Sequence, residues 1–235
     1  MAKRQIILDT ETTGINPLEG HRIVEIGCVE MVGRRLTGNN FHVYLNPDRL
    51  MDQEVINVHG ITNEFVADKP RFREVAQAFF EYIQGAELVI HNAAFDVGFI
   101  NHEFGLLTPA LPKVAQICTV LDTLAMARDL HPGQKNNLDA LCRRYDVNNS
   151  HRTFHGALLD AEILADVYLA MTGGQVSLNL ASQNDNDAAQ STVSQVGLVR
   201  RGSLRVVTAT EQELVAHEQR LDLVQKKGGS CLWRN

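Results

Sequence analysis

Gln5-Ile6-Ile7-Leu8-Asp9-Thr10-Glu11-Thr12-Thr13-Gly14 is the stretch on which the reading of this chain turns. Ile6-Ile7-Leu8 is a short apolar strand pattern, and two acids stand two apart at its end. Residues i and i+2 of a strand project to the same face, so the carboxylates of Asp9 and Glu11 can address one point. Packing gives no reason to place acids directly after an apolar strand. Gly14 then lets the chain turn tightly away and keeps the strand end accessible. Taken alone the pair is weak, because solvated acids beside a turn explain the same residues equally well.

Working outward, segments 22–29 and 40–45 are also β-branched or aromatic-rich, and turn material such as Gly14-Ile15-Asn16-Pro17 and Thr37-Gly38-Asn39 separates them. Connections this short predict an antiparallel meander. After Pro70 the period changes: Val75, Phe79, Phe80 and Ile83 line one face of a helix, and the compact strand Leu88-Val89-Ile90 follows. A helix is expected over 97–106, a strand over 115–119, and a helix through Leu124 and Ala127. Asn137 can cap a short helix carrying Leu141, Cys142 and Tyr145. The clearest helix begins near Gly156, with Ala157, Ala161, Leu164, Tyr168 and Met171 as its apolar face. Strands first, then alternating helix and strand, predict an α/β fold with a mixed sheet flanked by helices.

Composition shifts after Thr172. The run Ala181-Ser182-Gln183-Asn184-Asp185-Asn186-Asp187-Ala188 has too little apolar surface to offset the entropy lost on ordering. The expected organisation is a domain over 1–174, a flexible linker over 175–208 and a short helical tail over 209–235. In the tail, Thr210 and Glu213 form a capping-box pattern, Leu214, Leu221 and Val224 recur at helical spacing, and the single tryptophan, Trp233, lies beyond them. One short amphipathic helix cannot bury its stripe against itself, so the tail reads as a segment that orders against a partner.

Bulk properties narrow the classes. At 235 residues, 44% hydrophobic and 21% charged, the chain has the balance of a soluble globular protein. The apolar run after Lys3-Arg4 is too short for a signal peptide, and no stretch reaches membrane-span length. Cys28, Cys118, Cys142 and Cys231 show no CxxC spacing and read as reduced thiols of a cytoplasmic protein. A net charge of −6 argues against a protein that coats nucleic acid through phosphate contacts. It leaves room for an enzyme gripping a short strand end, because bound cations can reverse the field locally.

Two further clusters strengthen the acidic pair. His91-Asn92-Ala93-Ala94-Phe95-Asp96 follows the strand at 88–90, and strand ends in such sheets are where ligands bind. Asp96 is expected at the start of the next helix, as an N-cap, as a functional acid, or as both. Phe95 reads as a core anchor beside a groove that Asn92 can line. His155-Gly156-Ala157-Leu158-Leu159-Asp160 places a carboxylate among residues that should face the sheet, which costs several kcal/mol unless the acid is paired or metal-bound. His155 can hang over the same region from the loop–helix boundary.

These three motifs in this order resemble the DEDDh family of 3′ to 5′ exonucleases, in particular its proofreading members that serve bacterial replicative polymerases. The resemblance covers the first domain and reaches the tail, including Arg220 to Gly229. It implies a ribonuclease H-like fold, with Asp9, Glu11, Asp96 and Asp160 as metal-binding acids and His155 as catalytic histidine. A sister branch carries a tyrosine at a different spacing. Four carboxylates facing a phosphate would repel it without cations between them, and hard oxygen donors suit Mg²⁺ or Mn²⁺. The family scheme implies two divalent cations about 4 Å apart. One is held by Asp9, Glu11 and Asp160, the other by Asp9 with Asp96 through water. An imidazole is well matched to deprotonating water at neutral pH, which makes His155 the general base.

The resemblance also implies that Glu11 and Thr12 touch the terminal nucleotide, and that Val58-His59-Gly60-Ile61-Thr62 lines its pocket. That segment reads equally well as a turn leading to a helix N-cap at Thr62. The substrate-contact set is therefore Glu11, Thr12, His59, Asn92 and Phe95, and the expected substrate is a single-stranded or frayed 3′ DNA end.

Gln175-Val176-Ser177-Leu178-Asn179-Leu180 resembles a sliding-clamp-binding motif, with Gln175, Leu178 and Leu180 as its anchors. The tail residues Leu214, Leu221, Val224, Leu232 and Trp233 match a segment that binds the polymerase catalytic subunit. Some relatives also bind a small accessory subunit through the nuclease domain. Together these imply a cytoplasmic protein at the replication complex, with no membrane contact. Two rival readings remain: an RNA-trimming exonuclease of the same superfamily, and a non-catalytic adaptor joining polymerase and clamp.

Overall fold

The computed structural model describes residues 3–150, 152, 154–173, 209–229 and 231–234. The chain divides into two units, 1–179 and 180–235.

In the first unit the apolar run at the N-terminus builds the central strand β1 (Arg4–Thr12), with β2 (Ile23–Val32) antiparallel on one side. The outer edge of β2 takes both β3 (Arg35–Leu36) and β4 (Phe41–Tyr44), as the meander expectation requires. Beyond β4 come the helices α1 (Gln53–His59), α2 (Asn63–Val66) and α3 (Phe72–Ile83). The chain then returns as β5 (Glu87–Ile90), parallel to β1 on its other side. After α4 (Ala93–Gly105) and α5 (Val114–Ile117), β6 (Thr119–Asp122) adds parallel to β5. The helices α6 (Thr123–Leu130), α7 (Leu138–Tyr145) and α8 (Ala157–Thr172) complete the unit. This is the expected mixed α/β sheet flanked by helices.

Period-2 alternation along β1 separates two cores. Ile6 and Leu8 pack with Phe72, Phe79, Phe99 and Phe104 on the face covered by α3 and α4. Ile7 packs with Val89, Ala161, Leu164 and Tyr168 on the face covered by α8. Asp9 and Glu11 continue the Ile7 side, so they open towards α8.

Several local expectations shift. β1 runs on to Thr12, so its acids lie within the strand, paired with β2 and followed by a register shift between Glu11 and Thr12. The strand expected over 115–119 divides: Val114–Ile117 is one helical turn, closed by Cys118 N–H donating to the Val114 carbonyl, and the strand begins at Thr119. Short apolar runs carry no period long enough to distinguish a turn of helix from a strand. α8 is buried on more than one side, because Ile163, Val167 and Met171 pack with Leu141, Cys142 and Ala127 while its other face meets the sheet.

In the second unit, α9 (Glu211–Gly228) starts at the expected capping box, with Thr210 accepting from Glu213 N–H, and a short 3-10 turn spans Leu232–Arg234. Arg234 joins that turn to α9 through Glu218 and Asp222. Leu221 is buried; Leu214, Val224 and Trp233 are exposed, the last by 82%. The motif at Gln175, Leu178 and Leu180 lies outside the described residues.

Candidate active site

Two residues of β2 bring α8 over the acidic end of β1. Gly27 pairs with Asp9 across the β1–β2 ladder. A Cβ on Gly27 would lie 2.1–2.4 Å from backbone atoms of Ala157 and Leu158, so only glycine lets α8 approach this closely. Two residues along β2, the buried Glu25 accepts the Ala157 N–H at 3.0 Å with one oxygen and bonds His42 Nε2 at 2.7 Å with the other. That carboxylate takes one of the otherwise unpaired N–H groups at the start of α8. One turn into the helix, Asp160 is 3% exposed and faces Asp9 and Glu11 across a cleft of about 270 Å³.

Asp96 reaches the cleft from the other side. The N-cap of α4 is Asn92, in the left-handed region at φ 70°, so Asp96 is not the cap; it lies in the first turn, 3% exposed. Thr10 Oγ1 donates to Asp96 Oδ1 at 2.7 Å, which fixes its orientation from β1. The helix begins four residues earlier than expected, and that places the acid inward. His155 stands on the opposite rim, half exposed, its backbone N–H donating to the Val58 carbonyl of α1 at 3.1 Å. Ligand atoms of Glu11, His155 and Asp160 lie within 4.8 Å of one another.

The electrostatics of this cluster are one-sided. Burial, reinforced by the charges of Asp96, Glu11 and Asp160, holds the Asp9 carboxyl well above its ordinary range, with Arg152 opposing. Burial and the charges of Asp160, Glu25 and Asp96 push Glu11 up to about 8. Burial pushes Asp96 up to about 7 against the hydrogen bond from Thr10. Acids held neutral chiefly by burial, and at Asp9 and Glu11 also by neighbouring carboxylates, ionise readily once a multivalent cation shares the cleft. The donor set, carboxylate oxygens with one imidazole at the rim, fits hard divalent ions.

A second cavity of about 300 Å³ adjoins the first and shares Thr10, Glu11 and Phe95 with it. Thr12, Ile15, Val55, Val58 and His59 supply most of its remaining wall. His59 is the last residue of α1 and not part of a turn; Thr62 is the expected N-cap, accepting from Phe65 N–H. His59 Nδ1 accepts the Ile61 N–H, which leaves the proton on Nε2, buried without a partner among the described residues. Burial and the nearby His155 lower its pKa, so the ring is neutral. Asn92 is exposed, in the left-handed cap position, and is not among the residues lining either cavity.

Sequence reading missed four lining or supporting residues. His91 lines the cleft with Nδ1 on Thr123 Oγ1. Asp139 and Arg152 line it too, and Glu25 holds α8 in place. Only His91 carried a signal, its position beside the Asp96 loop.

The exonuclease family matches residues 6–168. The DNA polymerase III subunit epsilon of Escherichia coli K12 is 62% identical, over 98% of this chain and 97% of that protein. The protein of the same name from Haemophilus influenzae is 52% identical, over 98% of this chain and 94% of its own. Among solved structures, exonuclease X in complex with 5′ overhanging duplex DNA aligns with a TM-score of 0.57 and 28% identity, over 73% of this chain and 92% of that one. Escherichia coli exonuclease I bound to single-stranded DNA aligns at 0.65 and 17% identity, over 74% of this chain and 41% of its own, a likeness of fold. The chain therefore belongs to the exonuclease family, and within it to the epsilon subunits of DNA polymerase III, the proofreading 3′ to 5′ exonucleases.

Proposed function

We propose that Asp9, Glu11, Asp96 and Asp160 hold two divalent cations, Mg²⁺ or Mn²⁺, that His155 is the general base, and that the substrate is a mispaired or frayed 3′ DNA end. The convergence of four acids from β1, α4 and α8 in one cleft, three of them with carboxyls raised chiefly by burial, carries the reading. Bound cations would supply charge neutralisation at the scissile phosphate and a lowered pKa for the attacking water. The protein's own residues do the rest. Thr10 orients Asp96, and Glu25 and Gly27 set Asp160 opposite Asp9. His155 takes the proton of the attacking water from the rim.

The adjoining cavity suits the terminal nucleotide. Val55, Val58, Ile15 and Phe95 offer apolar surface against which a base can stack without being identified. His59 Nε2–H is a buried donor in need of an acceptor, which a sugar or phosphate oxygen provides. Selection of mismatches then comes from access, because a paired end must lose stacking and pairing before it enters.

The tail residues Leu214, Leu221, Val224, Leu232 and Trp233 are assigned to the polymerase catalytic subunit, and Gln175, Leu178 and Leu180 to a sliding clamp. A small accessory subunit on the nuclease domain completes the proposed set of partners, at a cytoplasmic replication complex. Among the described residues no helix is long and apolar enough to cross a membrane.

The deciding experiment is a time course on a 3′-mispaired primer with Mg²⁺, comparing the wild type with Asp9→Ala, alongside a matched RNA oligonucleotide. Release of single nucleotides from the mispaired DNA by the wild type alone is expected. Equal release by Asp9→Ala, or preference for RNA, contradicts the reading.

A further inference from the structure

The loop before α8 brings a single guanidinium into the acidic cleft, and its contacts join two parts of the machinery. Arg152 Nε and Nη2 donate to the two oxygens of Asp160 at 2.5 and 2.6 Å. Nη2 also donates to His155 Nδ1 at 2.8 Å, and Nη1 to Asp139 Oδ1 at 2.8 Å. The Arg152 side chain is 9% exposed and that of Asp160 4%, so this is a desolvated bidentate pair, not a surface contact. A guanidinium has donors only. His155 Nδ1 must therefore be the acceptor, and the proton of the neutral ring is on Nε2. In that arrangement neither nitrogen can take a proton from water: one lone pair is engaged and the other nitrogen already carries hydrogen.

We propose that Arg152 is a positioning residue that couples cation binding at Asp160 to release of the general base His155. With Arg152 on both Asp160 oxygens neither is free for a divalent ion, and the two cations would repel each other at contact distance, so their occupancy is exclusive. When Asp160 is given over to a divalent ion, Arg152 loses both Asp160 and its hold on His155. Asp139, half exposed at the mouth of the cleft, keeps it tethered. The base is thereby withheld until the cleft is charged with metal. This inference rests on the ligand role of Asp160 and the base role of His155 proposed above.

Titration calorimetry with Mn²⁺ alone, on the full chain, tests it. Apparent affinity is reduced by the fraction of molecules whose site is competent, so if Arg152 holds Asp160 in about nine molecules of ten, Arg152→Ala binds Mn²⁺ about tenfold tighter. Arg152→Lys keeps a charge but cannot bridge Asp160 and His155 at once, and is expected between the two. In ¹⁵N spectra of the wild type, His155 Nδ1 should carry the shift of a hydrogen-bonded acceptor in chelator and lose it along a Mg²⁺ titration; in Arg152→Ala that change should be absent. Equal or weaker Mn²⁺ binding by a folded Arg152→Ala overturns the coupling, and Arg152→Lys decides in the same way if the alanine variant does not fold. Failure of the underlying site reading looks different: Asp160→Asn would then bind Mn²⁺ as the wild type does.

Discussion

The pKa shifts of single residues fix how the protein should respond to pH. In an unfolded chain carboxyls lose their protons near about 4, whereas in the fold Asp96 keeps its proton to about 7 and Glu11 to about 8. Between those limits the folded state binds more protons than the unfolded one, so stability falls as pH rises from about 5 to about 8. Melting temperatures measured in EDTA should decline across that range, and saturating Mn²⁺ should flatten the slope, because cations replace the protons that the acids otherwise need. A chelated protein whose melting temperature stays level or climbs would show that the acids are not held neutral. At His155 the expected effect is on rate. His155→Ala should lower turnover by about 10² to 10⁴ while Mn²⁺ binding persists, and near-full turnover between pH 6 and pH 9 would remove the base assignment. The acids were legible because a carboxylate on the inward side of an apolar pattern has no packing reason to be there, as at Asp160. Glu25 was not, because it gains its role from Ala157, 132 residues along the chain; Arg152 and Asp139 were not, because a charged residue in a loop or on a helix surface gives no sign in the letters of the partner it will turn to.

Elements rather than residues decide how the acids meet. Strand alternation was readable over Ile6, Ile7 and Leu8, and it assigned Asp9 and Glu11 to one face. Nothing in the letters announced that Gly27 would be the point where α8 touches the sheet, since a strand glycine has many causes. Its role gives a sharp test. In Gly27→Ala the added methyl would collide with the backbone of Ala157 and Leu158, which is not the flexible end of a side chain and cannot swing aside. Overpacking of this kind costs about 1–3 kcal/mol, and relief by shifting α8 would carry Asp160 away from Asp9. Urea unfolding should show the loss in stability, and exonuclease assays a loss in turnover that exceeds it at saturating substrate. Wild-type activity in Gly27→Ala would mean that the close approach is dispensable. The short helices α1 and α5 escaped the reading for a different reason: four to seven residues give too few repeats for a period to emerge.

At the scale of the whole molecule, catalysis and recruitment are assigned to separate stretches of chain. Every acid of the candidate site, with His155, belongs to the first unit, and the capped helix α9 belongs to the second. On α9 and the turn after it, Leu214, Val224 and Trp233 present apolar surface to solvent, which is the composition of a contact patch for another protein. Tethering through a polar connector raises the local concentration of the nuclease at its partner without fixing its orientation. Deleting residues 181–235 is therefore expected to leave excision of single-stranded DNA nearly intact while abolishing capture by the polymerase catalytic subunit. Within the intact chain, Trp233→Ala should weaken that binding by roughly thirtyfold, the effect of losing an aromatic anchor worth about 2 kcal/mol. Binding measured by surface plasmon resonance, beside nuclease rates on the same preparations, separates the two properties. A truncated chain that neither folds nor cuts would place the tail inside the structural core of the nuclease, and an unchanged affinity for Trp233→Ala would move the contact elsewhere on α9.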